Sequence, residues 1–158
     1  MPNKEKWHLM LLPEDDKTRQ FGNGLLKAFP ELANYVQMLR PARGCLHAVQ
    51  QIPNLQLGNI DKRRVVLLID LDNKTNRINQ IKSKAEFKNF NDRIFIIGCS
   101  AEVENLRRIF GNTRYGNLED IGKKLASDCS LWDDPLLKQC RDDACRLKAE
   151  IAEMSHNN

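Results

Sequence analysis

The chain has 158 residues, of which 41% are hydrophobic and 29% are charged, and its formal net charge at pH 7 is +4. This composition is typical of one globular domain with a substantial core, and it excludes a long disordered chain. Because no apolar run approaches the ~20 residues of a membrane span and no signal-peptide core follows Met1, we expect a cytoplasmic protein without membrane contact.

Five cysteines are spread along the chain, an odd number without a C-x-x-C pair. This spacing argues against a disulfide framework and against a structural zinc site. We therefore expect reduced thiols that mostly fill the core.

Four short apolar runs alternate with segments in which hydrophobic residues recur at helical spacing, a pattern typical of buried strands between helices. The third run, residues 65–72 (VVLLIDLD), is the most apolar and ends in two acids. Gly22 and Gly24 weaken the first predicted helix unless close backbone packing needs them. In chain order, the predicted elements are strand 7–12, helix 15–29, strand 35–40, helix 45–52, strand 65–72, helix 74–87, strand 93–98 and helices 100–110, 117–129 and 135–154.

The order of these elements predicts the fold class. Strands that are apolar on both faces and alternate with helices indicate a mostly parallel sheet that is covered on both sides. We therefore predict an α/β fold with a mostly parallel four-stranded sheet flanked by helices, followed by a C-terminal helical extension. Residues 1–111 form the predicted α/β core, and residues 112–158 form the extension, packed on the same domain.

Acidic side chains follow the first and third predicted strands. Asp70 and Asp72 are two residues apart on one strand, so their carboxylates share a face and repel each other unless a cation lies between them. Right-handed crossovers bring the carboxyl ends of parallel strands to one edge, where Glu14 joins them and where ligands bind in such sheets. This pattern favours a divalent metal ion. The alternatives are that the aspartates belong to a turn and that Glu14 stabilises the start of the next helix.

An acidic residue after the first strand and Asp-x-Asp after a later one resemble the Toprim domain, a family that includes primases, topoisomerases and the overcoming-lysogenisation-defect (OLD) nucleases. The resemblance is carried by residues 11–17 (LLPEDDK) and 65–72, with further likeness at 99–106 and a weaker likeness at 132–137. It implies phosphoryl transfer on nucleic acid with Mg²⁺ or Mn²⁺ as the cofactor. It also implies that the catalytic and metal-binding residues are Glu14, Asp70 and Asp72. A second metal ion would need Glu104 or Glu102, of which Glu104 is preferred.

Nuclease chemistry fits the chain better than the other activities of this family. Topoisomerase action needs a nucleophilic tyrosine on a further domain, and only Tyr35 and Tyr115 are present. Primase action needs further domains as well. We therefore predict a metal-dependent nuclease that cleaves phosphodiesters, of a kind that resembles components of defence systems and mobile elements.

Two other interpretations remain open. One is a catalytically degenerate Toprim-like module that binds nucleic acid or protein, which Asp15 favours because Toprim domains usually have glycine at this position. The other is a phospho-acceptor domain, which the segment 98–100 (GCS) disfavours because such domains need a lysine near the end of a late strand.

Basic residues border the predicted acidic edge. Arg40, Arg43 and Lys74 are predicted to contact the phosphates of a nucleic acid, although basic residues near loops are often only solvated. The excess of positive charge also lies in residues 1–111, because residues 112–158 hold seven Lys and Arg against nine Asp and Glu. A mildly basic front part is compatible with a phosphate-bearing partner.

Overall fold

Four parallel strands form a single sheet in the computed structural model, which describes residues 6–71, 76–99, 106 and 117–157. The strands are β1 (His8–Pro13), β2 (Val36–Met38), β3 (Arg63–Asp70) and β4 (Ile94–Cys99). They lie in the order β2-β1-β3-β4, so β1 and β3 are central. With helices flanking the sheet, this is the predicted α/β fold.

Helices connect and follow these strands at most of the predicted positions. The predicted helix 100–110 falls outside the described residues, apart from residue 106. Short 3-10 helices occupy Pro30–Leu32, Ile52–Leu55, Cys129–Asp133 and Lys138–Cys140. The α-helices are α1 (Asp16–Lys27), α2 (Cys45–Gln50), α3 (Arg77–Lys82), α4 (Ala85–Lys88), α5 (Leu118–Ser127) and α6 (Arg141–Asn157).

Two predicted helices have different boundaries in the structure. The predicted helix 74–87 divides into α3 and α4, and the hydroxyl of Ser83 between them bonds to the main chain three residues earlier. The predicted helix 135–154 begins only at α6, because the side chain of Asp134 accepts the main-chain N–H two residues later and forms a turn. Such local bonds from serine and aspartate compete with a continuous helix.

The predicted start of β3 was also wrong by two residues. The strand includes Arg63 and Arg64, which the sequence suggested as a charged segment before it. Arg63 is only 6% exposed, and its guanidinium donates to the main-chain oxygen of Leu55 at 2.6 Å and to Nδ1 of His8 at 3.1 Å. A buried guanidinium is tolerated in a strand when its donors are used in this way.

Gly24 and Gly122 let α1 and α5 approach each other closely. A Cβ atom at Gly24 would overlap the main-chain oxygen of Glu119, and a Cβ atom at Gly122 would overlap that of Phe21. Close backbone packing therefore accounts for Gly24 inside α1, as the sequence analysis required for a glycine in this helix.

The outer edge of β4 is closed by side chains of α6. Asp143 accepts the main-chain N–H of Ile96 at 2.8 Å, and Arg146 donates to the main-chain oxygen of Ile94 at 3.1 Å. The guanidinium of Arg146 also lies 4.0 Å from the centre of the Phe95 ring. These contacts attach the C-terminal helix to the sheet and cover polar groups that an exposed edge strand would present.

The chain leaves β1 and β3 in opposite directions along the sheet. From β1 it passes through α1 to β2 on one side, and from β3 it passes through α3 and α4 to β4 on the other side. The carboxyl ends of β1 and β3 therefore form a topological switch point, which is where ligands bind in open α/β sheets. Glu14 directly follows β1 and Asp70 ends β3, so both residues lie at this point.

His8, the first residue of β1, gives a testable prediction about how the stability of the fold depends on pH. Burial, and then the charge of Arg63, lower the pKa of His8 from its ordinary value of 6.5. Below pH 6.5 the unfolded chain therefore binds more protons at His8 than the folded chain does. This residue contributes no pH dependence above that value, and it destabilises the fold progressively as the pH falls below it.

The measurement is the melting temperature of the wild type and of His8→Asn between neutral and mildly acidic pH. Asparagine keeps an acceptor for Arg63 and does not titrate, so we expect a smaller loss of melting temperature on acidification than in the wild type. If the wild type and His8→Asn lose the same melting temperature on acidification, His8 does not have a lowered pKa in the folded protein.

Candidate functional site

Glu14 and Asp70 meet at the switch point between β1 and β3. The carboxylate oxygen Oε2 of Glu14 accepts the main-chain N–H of Asp70 at 2.8 Å. The main-chain N–H of Glu14 donates to the oxygen of Leu68 at 2.8 Å, which is the last main-chain bond between these two segments. The side chain of Glu14 therefore continues the pairing where β1 ends, and two acidic residues 56 positions apart in sequence become neighbours.

The side chain of Asp70 is almost buried, with 9% of its residue surface exposed and its Oδ1 atom inside the protein. Side chains alternate along a strand, so it shares a face with Leu68, which lies against Gly22 of α1. A shallow depression opens at this position, lined by Asp70 and by the residues at the start of α1, Asp15, Asp16 and Lys17.

Asp15 and Asp16 serve the start of α1. Asp15 is the N-cap, and its carboxylate accepts the N–H of Thr18 at 2.8 Å while the Thr18 hydroxyl accepts the N–H of Asp15 at 3.1 Å. Asp16 accepts bonds from Arg19 and Gln20, which lower the pKa of its carboxyl group. Capping of α1 therefore accounts for the aspartate that follows Glu14.

Arg77 is a residue of this site that the sequence did not indicate. It begins α3, and its Nη1 atom donates to the main-chain oxygen of Asp70 at 2.6 Å. The sequence offered one signal, a basic residue shortly after the strand that ends in acids. The prediction assigned the phosphate contact at that position to Lys74. Lys74 lies outside the described residues.

The loop after β2 also reaches the switch point. The main-chain N–H of Ala42 donates to the oxygen of Pro13 at 2.9 Å, and that of Arg43 donates to the oxygen of Glu14 at 2.8 Å. Arg43 has a φ of 64°, a left-handed conformation that is uncommon for residues other than glycine. The side chains of Arg40 and Arg43 are exposed, and their contact with nucleic acid stays a prediction.

The predicted site is described only in part. Asp72 and Glu104 lie outside the described residues, so the structure places two of the four predicted metal ligands, Glu14 and Asp70. Across residues 6–71, 76–99, 106 and 117–157 there is no group of three or more His, Cys, Asp or Glu side chains able to hold a metal ion. The five cysteines are free thiols, but only Cys99 and Cys140 are buried, whereas Cys45, Cys129 and Cys145 are partly exposed, so the expectation that most of them fill the core was wrong.

The pair nevertheless has the chemistry that a hard divalent cation needs. Mg²⁺ takes oxygen ligands and commonly uses one or two carboxylates, with water and substrate phosphate filling the other positions. A carboxylate offers about four acceptor sites, so the bond from Asp70 uses part of the capacity of Glu14. Glu14 and Asp70 therefore supply two groups of the ligand type that Mg²⁺ or Mn²⁺ takes.

Glu14 also has a structural role, which gives a second testable prediction. Glu14→Ala removes the acceptor of the Asp70 N–H and is expected to lower the free energy of unfolding by about 1 kcal/mol. Glu14→Gln keeps an oxygen at this position and should lower the stability less. Denaturant unfolding of both variants checks this, and equal stabilities of the two variants would contradict a structural role for the bond.

Comparisons with models of protein families, with curated proteins and with solved structures find no match to this chain. No helix among the described residues has the length and apolar character needed to cross a membrane. A functional assignment therefore depends on the geometry at the switch point and on the sequence resemblance to Toprim domains.

Proposed function

We propose that this protein is a metal-dependent nuclease that hydrolyses a phosphodiester bond of a nucleic acid at a Toprim-type acidic site. The observation that supports the proposal most strongly is the 2.8 Å bond between Glu14 Oε2 and the N–H of Asp70. It holds two acidic residues together at the topological switch point, where α/β sheets bind ligands. A cytoplasmic location and a role in a defence system or mobile element belong to the same proposal and rest on the sequence alone.

Glu14 and Asp70 would hold the metal ion, with Asp72 and Glu104 as the further ligands that the sequence predicts. When bound, Mg²⁺ supplies charge stabilisation for the phosphoryl group and lowers the pKa of a water molecule. The bond to the main chain of β3 fixes the orientation of the Glu14 carboxylate before substrate binds. Glu14 would act either as a ligand of the metal ion or as the general base that takes the proton of the attacking water.

Exposed positive charge near the site supports a nucleic acid as the substrate class. Arg40 and Arg43 are exposed in the loop that docks beside Glu14, and the chain carries a net charge of +4. Exposed guanidinium groups bind phosphate oxygens and attract polyanions. These features favour a nucleic acid over a small phosphoester.

Cleavage assays on supercoiled plasmid, single-stranded DNA and RNA test the proposal. We expect product with Mg²⁺ or Mn²⁺ and none with EDTA. Asp61→Asn is the control variant, because Asp61 is an exposed acid at the opposite edge of the sheet, and it should cleave like the wild type. If the wild type cleaves none of these substrates with either metal, the proposal is wrong.

A second candidate is a non-catalytic module that binds nucleic acid or protein. The observation in its favour is that the Glu14 carboxylate already has a structural use as the acceptor of the Asp70 N–H. This candidate predicts nucleic-acid or protein binding that is independent of metal and insensitive to Asp70→Asn. Metal-dependent cleavage that is lost in Asp70→Asn would exclude it.

A further inference from the structure

We infer that Arg77 binds a phosphate group of the nucleic acid directly beside the Glu14–Asp70 pair, an inference that rests on the proposed function for its substrate class. The Arg77 guanidinium donates to the main-chain oxygen of Asp70 at 2.6 Å, and the Arg77 side chain is partly exposed. Neither the acidic motif nor the predicted basic residues included it.

The position of Arg77 follows from the end of β1. The N–H and the oxygen of Asp70 both face the side of β3 on which β1 lies, because alternate residues of a parallel strand bond to alternate neighbours. Where β1 has ended, the Glu14 carboxylate accepts that N–H and the Arg77 guanidinium donates to that oxygen. The guanidinium therefore binds the main chain of the same residue, Asp70, that the Glu14 carboxylate binds.

The chemistry of this position suits a phosphodiester. Two carboxylates repel a phosphate, and a partly exposed cation beside them offsets that repulsion with less screening than a fully exposed one. A guanidinium carries five N–H donors in a plane that matches two phosphate oxygens at once. The bond to the main chain of Asp70 fixes the guanidinium at the strand end.

Arg93 provides a matched control on the same sheet. Its guanidinium also donates to main-chain oxygens, those of Ile60 at 3.1 Å and Asp61 at 3.2 Å. It lies just before β4, at the opposite edge of the sheet from Asp70. If Arg77 served only to stabilise the fold, Arg77→Met and Arg93→Met would both lower the stability, and neither would have a specific effect on nucleic-acid binding.

The experiment measures binding without turnover. A short fluorescein-labelled DNA, single- or double-stranded, is titrated with the wild type, Arg77→Met, Arg77→Lys and Arg93→Met in EDTA at several salt concentrations. We expect Arg77→Met to weaken binding by about tenfold and to reduce the slope of log affinity against log salt by about one. Arg77→Lys should recover part of the affinity, and Arg93→Met should bind like the wild type.

The result separates this inference from the proposed function. Reduced binding by Arg77→Met in a protein that never cleaves DNA or RNA would leave Arg77 as a phosphate-binding residue and refute the nuclease. Wild-type affinity and salt slope in Arg77→Met would overturn the inference, as would equal losses in Arg77→Met and Arg93→Met. No measurable binding by the wild type would overturn it as well.

Discussion

Asp70→Asn is expected to lower the rate of metal-dependent cleavage by about 10²–10³-fold, because the metal's charge stabilisation is worth several kcal/mol and each 1.4 kcal/mol is tenfold in rate. Asparagine keeps the size of the side chain and removes its charge. Since this carboxylate is almost buried beside Glu14, the melting temperature should stay the same or rise.

Single-turnover cleavage at saturating Mg²⁺, together with thermal unfolding, measures both effects of Asp70→Asn. Asp61→Asn again serves as the control, because it removes one acid far from the switch point. If Asp70→Asn cleaves at the wild-type rate, Asp70 does not belong to the catalytic site. A rate loss that accompanies a large drop in melting temperature would indicate damage to the fold rather than to the chemistry.

Gly24→Ala is expected to lower the free energy of unfolding by about 3 kcal/mol, since a Cβ at this position overlaps the main chain of Glu119 in α5. The overlap outweighs the gain of about 1 kcal/mol that alanine brings to a helix interior. For a domain of this size the melting temperature should fall by roughly 6–12 °C. The backbone of α5 cannot rotate away as a flexible side chain would, so α1 and α5 must separate.

Gly58→Ala is the matched control for this prediction. A Cβ at Gly58 would lie 3.7 Å from the nearest atom of Phe90, an ordinary contact distance. We expect little change in the melting temperature of this variant. Equal melting temperatures of Gly24→Ala and Gly58→Ala would show that α1 and α5 do not need to approach so closely.

The fold was largely predictable because the strands carry their own signal. Residues 65–69 of β3 are at most 1% exposed, and a strand covered on both faces must be a continuous apolar run. Local signals were less reliable for helix boundaries. The side chains of Ser83 and Asp134 bond to nearby main-chain atoms and end or delay helices that hydrophobic spacing alone would continue.

The candidate site was predictable only where chain order determines it. Parallel strands gather their carboxyl ends at one edge, so the proximity of Glu14 and Asp70 followed from topology. The position of Arg77 did not, because it depends on a side-chain bond to the main chain of Asp70 that no spacing rule describes. The role of Asp15 as a helix cap became clear only from its bonds with Thr18.

We expect Glu14 and Asp70 together to form a site for a divalent cation. Titration of Mn²⁺ into the protein, followed by electron paramagnetic resonance, tests it without any substrate. The signal of free Mn²⁺ should be suppressed by the wild type and by Asp61→Asn, and much less by Asp70→Asn and Glu14→Gln. Equal suppression by all four proteins, or none by the wild type, would contradict the claim.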